Sequence, residues 1–121
     1  MSELIAITCG DPAGIGPEII ASWVRANPEE ARRAIILGPL SWLSTLPEGP
    51  RRMPVGVEGF EATPGKPDGE GSLVAWAALE RATELCREGT CAGVVTAPIS
   101  KERMAAIGWT FPGHTEFFAE R

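Results

Sequence analysis

Three stretches of this sequence combine tight-turn backbone with groups able to bind an oxygen-rich ligand. In the first, Gly10-Asp11-Pro12-Ala13-Gly14-Ile15-Gly16-Pro17-Glu18, small residues allow close backbone approach, and a following helix would add its positive end. The second, Val95-Thr96-Ala97-Pro98-Ile99-Ser100-Lys101, sets a lysine in the first turn of a short helical pattern, where it would neutralise an anion or simply be solvated. The third, Phe111-Pro112-Gly113-His114-Thr115-Glu116-Phe117-Phe118, carries the only histidine of the chain. There an imidazole, a hydroxyl and a helix start would face one point, although Thr115 as a plain helix cap accounts for half of the pattern. The glycine stretch has neither dinucleotide-fingerprint spacing nor the Gly-Lys-Ser/Thr of a phosphate-cradling loop, so a tight strand-to-helix turn without ligand explains it equally well.

Other chemistries find less support. Cys9, Cys86 and Cys91 make an odd count of three, which argues against a disulfide framework and for a reducing compartment. With no second cysteine pair and one remote histidine, a structural zinc site lacks its four ligands, and no metal-ligating residue is assigned. Eleven Lys and Arg scattered among sixteen Asp and Glu, for a net charge of −5, leave no basic face, so nucleic acid is not expected as a partner. Met1–Glu3 and the short apolar run after them fit neither a signal peptide nor a membrane span, so a cytoplasmic protein without membrane attachment is expected.

The elements that must position these groups alternate. Leu4–Cys9 reads as a buried strand running into the glycine stretch, and Ile15, Ile19, Ile20, Trp23 and Val24 then repeat at helical spacing until Asn27-Pro28. Ala34–Leu37 reads as a second buried strand, followed by a short helix within Pro39–Leu46. From Pro47 to Gly71 proline and glycine dominate, which predicts an irregular excursion with a strand near Val55–Val57. Ser72 is the expected cap of the clearest helix, whose stripe is Val74, Ala75, Ala78, Leu79, Ala82, Leu85 and Cys86, with Gly89 ending it. Ala92–Thr96 is a third buried strand, Ser100–Ile107 a short helix, and Gly113-His114-Thr115 opens another. Strand alternating with helix predicts an α/β/α layered fold with a mostly parallel sheet, and ligands there sit beyond the carboxyl ends of the strands. At 121 residues the chain has room for one domain and one core.

The order of the three stretches resembles the 4-hydroxythreonine-4-phosphate dehydrogenase family from Ile7 through Glu120, least closely between Leu40 and Thr63. Gly113-His114-Thr115-Glu116-Phe117-Phe118 is its most specific part, and the first loop is also similar to the Gly-Asp-Gly-Ile-Gly-Pro-Glu turn of isocitrate and isopropylmalate dehydrogenases. The resemblance implies an isocitrate/isopropylmalate dehydrogenase-like fold, of which residues 1–112 would be the partial N-terminal α/β domain and 113–121 the helix leading into a second domain. It implies His114 and Thr115 as a substrate-binding pair, with no catalytic or cofactor-binding residue assigned and no catalytic step for Lys101. It further implies NAD or NADP, a divalent metal (Zn, Mg or Co) whose three histidine ligands lie downstream, a phosphorylated small-molecule substrate and a homodimer. The implied reaction oxidises the secondary alcohol of 4-phosphooxy-L-threonine and decarboxylates the product to 3-amino-2-oxopropyl phosphate, in pyridoxal phosphate biosynthesis. With one histidine for three, this polypeptide is expected to be an inactive N-terminal portion of such an enzyme. Two alternatives stand beside that reading: a non-catalytic remnant that binds a phosphorylated metabolite or a partner subunit, and a dehydrogenase for a related four-carbon acid such as threonate 4-phosphate.

Overall fold

Short runs with apolar residues on both faces have no side to show to water, so they pair edge to edge and are covered by helices above and below. In the computed structural model, which describes residues 3–121, four strands form; the Met1-Ser2 part of the N-terminal reading lies outside the described residues. Two buried central strands are flanked by the mostly exposed Arg51–Pro54 and by Gly93–Thr96, which the sequence reads as buried but which leaves Val95 exposed at the edge. The elements are β1 (Ile5–Thr8), α1 (Gly16–Ala26), α2 (Pro28–Ala31), β2 (Ala34–Gly38), α3 (Leu40–Leu43), β3 (Arg51–Pro54), α4 (Gly69–Arg87), β4 (Gly93–Thr96), α5 (Lys101–Ala106) and α6 (His114–Glu120). The sheet runs β3-β2-β1-β4 with every neighbouring pair parallel.

Alternation along the strands divides the core into two layers. Ile7 and Ile36 meet Ile20, Val24 and Leu43 on the α1 side, while Ala6, Ile35 and Leu37 meet Val74, Ala78 and Ala82 on the α4 side. A third cluster uses an adjacent stripe of α4: Ala75 and Leu79 pack with Met104, Trp109 and Phe117, docking α5 and α6. Trp109 and Phe117 stack with ring centroids 4.7 Å apart, and both are fully buried. The α/β/α layering predicted from the sequence is therefore the fold observed.

The α1 pattern ends at Asn27-Pro28 as expected, and Pro28 then starts the separate four-residue α2, a first-turn position where its missing N–H costs nothing. Two local expectations are corrected. The strand expected at Val55–Val57 lies at Arg51–Pro54, with Val55 N–H still donating to Gly38 O at 2.9 Å. As an edge strand, β3 accommodates Pro54, which disguised it in the sequence. Helix α4 begins before Ser72: Asp68 is the cap and accepts from Gly71 N–H at 2.8 Å, while buried Ser72 donates to Asp68 O at 3.3 Å. Gly69 and Gly71 are weak helix formers, and they concealed that first turn.

Candidate functional site

Strands β1 and β4 are neighbours in register, Thr8 beside Thr96, so the segments leaving their carboxyl ends emerge side by side. Those segments are the glycine loop and the run to Lys101, and backbone bonds join them. Asp11 N–H donates to Pro98 O at 3.0 Å and Ala97 N–H to Thr8 O at 3.2 Å. Gly10 has φ +68°, and a Cβ there would stand 2.4 Å from Pro98 O, so the join requires glycine.

Donors of the loop are spent internally. Ala13 N–H donates to Asp11 Oδ1 at 2.9 Å and Gly14 N–H to Asp11 O at 2.9 Å, with the Asp11 side chain buried beneath them. From the excursion before α4, Gly65 N–H reaches Ala13 O at 2.9 Å. Those bonds make Asp11–Gly14 a tight turn.

Helix α5 is capped by Ser100, which accepts from Arg103 N–H at 3.3 Å, and Lys101 follows as its first residue. Trp109 and Phe111 then lead the chain round to α6, with Trp109 Nε1–H donating to Phe111 O at 3.0 Å. Gly113 is the N-cap of α6, so His114 and Thr115 are its first two residues. Thr115 makes no capping bond, and the capping explanation offered for it is overturned. The structure brings Lys101 to this corner. A Cβ placed on Gly113 would lie 3.8 Å from Lys101 Cε, 4.0 Å from Lys101 Nζ and 3.6 Å from Glu116 Oε1.

At the corner Thr115 is exposed and His114 half-buried. Burial pushes the imidazole pKa below its ordinary value, so the ring is neutral at neutral pH. Its Nε2 is covered and has no hydrogen-bond partner among the described residues. The corner can thus offer a hydroxyl, a neutral imidazole and an ammonium to an oxygen-rich ligand. A larger cleft of about 690 Å³, lined by Gly14, Pro17, Glu18, Arg25, Trp42 and Glu61 among others, opens between the glycine loop and α3 and includes none of those three groups. Pairing of chemically suited side chains, rather than size, makes the Lys101–His114–Thr115 corner the candidate.

Sequence reasoning passed over Thr8, whose Oγ1 is buried and unpartnered among the described residues; a threonine ending an apolar run was its only signal. It also missed Arg121, which pairs with Glu80 at 2.6 Å and lies 4.2 Å above the Phe117 ring, fixing α6 to α4. The cysteines are free, and burial pushes the Cys9 thiol up to about 12, which removes it as a nucleophile. Among the described residues no three His, Cys, Asp or Glu side chains converge to hold a metal ion, and no helix is long and apolar enough to cross a membrane.

Comparison with known proteins bears on this geometry directly. The family model described as pyridoxal phosphate biosynthetic protein PdxA matches residues 19–121. The chain belongs to the PdxA family. Lys101, His114 and Thr115 fall inside the matched span, whereas the glycine loop, Gly10–Glu18, lies ahead of it. A 4-hydroxythreonine-4-phosphate dehydrogenase of Zymomonas mobilis is 36% identical over 135 residues, covering 97% of this chain and 40% of that relative. A D-threonate 4-phosphate dehydrogenase of Salmonella typhimurium is 31% identical over 144 residues, covering 98% and 43%. The crystal structure of a 4-hydroxythreonine-4-phosphate dehydrogenase from Klebsiella pneumoniae superposes with a TM-score of 0.81 at 29% identity, over 98% of this chain and 44% of that one. This PdxA-family chain therefore spans about two fifths of the length of the relatives it matches.

Proposed function

We propose that this chain is the substrate-binding N-terminal portion of an NAD- or NADP-dependent dehydrogenase acting on 4-phosphooxy-L-threonine, with His114 and Thr115 as the binding pair. The observation that carries the proposal is the PdxA family match across the stretch in which Lys101 reaches the start of α6. In this reading Thr115 Oγ and the neutral imidazole bond substrate oxygens, and half-burial of His114 lets it donate or accept without adding charge. The nicotinamide would take the hydride from the secondary alcohol. The described residues hold no cluster that fits a metal ion, so no metal ligand is assigned among them and no step is routed through a metal. Consistent with that, the 121 residues are proposed to bind substrate without turning it over. A homodimeric, cytoplasmic enzyme is part of the same proposal.

The test is NAD and NADP reduction, followed at 340 nm, by the product of the native gene with 4-phosphooxy-L-threonine and a divalent metal. Turnover that falls at least about tenfold in His114→Ala and Thr115→Ala supports the reading, on the scale of one lost bond to a charged or polar substrate group. Unchanged turnover in both variants removes the pair from the site.

A second substrate has a specific observation behind it. Relatives named for 4-hydroxythreonine-4-phosphate and for D-threonate 4-phosphate match this chain over the same span, at 36% and 31% identity. The two acids differ at the carbon bearing an amine or a hydroxyl. Parallel assays with D-threonate 4-phosphate decide between them, the preferred acid having the higher kcat/KM.

A further inference from the structure

An anion seated at His114–Thr115 needs a counter-charge, and neither residue supplies one: the hydroxyl is neutral, and the half-buried imidazole is held in its neutral form. The nearby cations are mostly engaged elsewhere. Arg103 Nη1 donates to Pro67 O at 3.3 Å, and Arg121 pairs with Glu80 at 2.6 Å while lying over Phe117. Lys101 makes no ion pair among the described residues, and its ammonium stands over Gly113, the residue immediately before His114. We propose that Lys101 is the residue that holds an anionic oxygen group of the ligand, phosphate or carboxylate, against His114 and Thr115.

Two features of the corner sharpen this assignment. Lys101 is exposed at the first position of α5, and Ser100 caps that helix, so the ammonium is accessible to a ligand. Glu116 Oε1 flanks Gly113 from its own side, 3.6 Å from the same reference point. Glu116 brings a carboxylate to the same corner, so the ammonium of Lys101 is the charge there that favours an anion.

This inference rests on the substrate-binding reading of His114 and Thr115, and its test separates the two. The 121-residue chain, its Lys101→Met variant and its Lys101→Arg variant are titrated with 4-phosphooxy-L-threonine, 4-hydroxy-L-threonine and inorganic phosphate, following backbone amide shifts. The expected result is perturbation at Gly113–Thr115, a dissociation constant at least about tenfold weaker in Lys101→Met, and partial recovery in Lys101→Arg, which keeps the charge but not the geometry. If inorganic phosphate shows the same dependence and 4-hydroxy-L-threonine does not, the group held is the phosphate; the converse identifies the carboxylate. Equal binding of 4-phosphooxy-L-threonine by Lys101→Met and the parent overturns the role of Lys101 and leaves the substrate reading standing. Lys101-dependent binding of phosphate with no binding of 4-phosphooxy-L-threonine keeps the anion site and sinks the substrate. Absence of binding by all three probes overturns both.

Discussion

His114 is the single histidine, so its imidazole proton signals report one titration without assignment. Burial lowers its folded pKa below 6.5, and an NMR titration should give a midpoint under that value. Above pH 6.5 both folded and unfolded chains carry the neutral ring, and the full contribution is present. As pH falls below 6.5 the unfolded chain binds the proton first, and stability is lost until the folded pKa is passed. Urea midpoints compared at pH 7.5 and 5.5 should therefore drop more for the parent than for His114→Gln; equal drops would show that the ring is not desolvated. Gly10 makes a second prediction at this scale. Gly10→Ala combines a left-handed backbone with a 2.4 Å contact to Pro98 O, and should cost about 2–4 kcal/mol in urea unfolding. These two sites were legible to different degrees. The histidine, threonine and lysine were visible as residue types in a specific order, but that Lys101 reaches Gly113 depends on a turn through Trp109 and Phe111 that no local spacing encodes. Donor commitment in the glycine loop was likewise invisible, because Asp11 binds Pro98 across 87 positions of sequence.

At the scale of elements, strong periodicity was read correctly and weak starts were not. The stripe from Val74 to Leu85 is buried as its spacing requires. The helix carrying it begins at Gly69, capped by Asp68, because a side-chain acceptor three residues ahead outweighs two poor helix formers. Asp68→Ala should consequently cost about 1 kcal/mol, while Ser72→Ala, which removes only a bond to Asp68 O, should cost less. Reversal of that order in chemical denaturation would return the cap to Ser72. Strand β3 was displaced for the opposite reason. Arg51, Arg52 and Pro54 show neither alternation nor β-branching, and only their place beside β2 makes them a strand.

Across the whole molecule, α6 and its neighbours form a cluster separate from the two faces of the sheet. Phe117 is its centre, fully buried and stacked on Trp109. Phe117→Ala should cost about 3–5 kcal/mol and shift the amide signals of His114 and Thr115, whereas Phe117→Leu should cost less and leave them nearly in place. A variant that loses stability without moving those signals would mean that the cluster does not position the corner. The sheet order has a further consequence, for synthesis rather than for the finished protein. Strand β1 is central, yet one of its two partners is β4, with Ile5 paired to Gly93. On a ribosome adding roughly 5–20 residues per second, β1 is made roughly 4–18 s before that partner. For that interval Ala6 and Ile7 present an unpaired apolar edge, which is the form of the nascent chain that a holdase chaperone would be expected to engage.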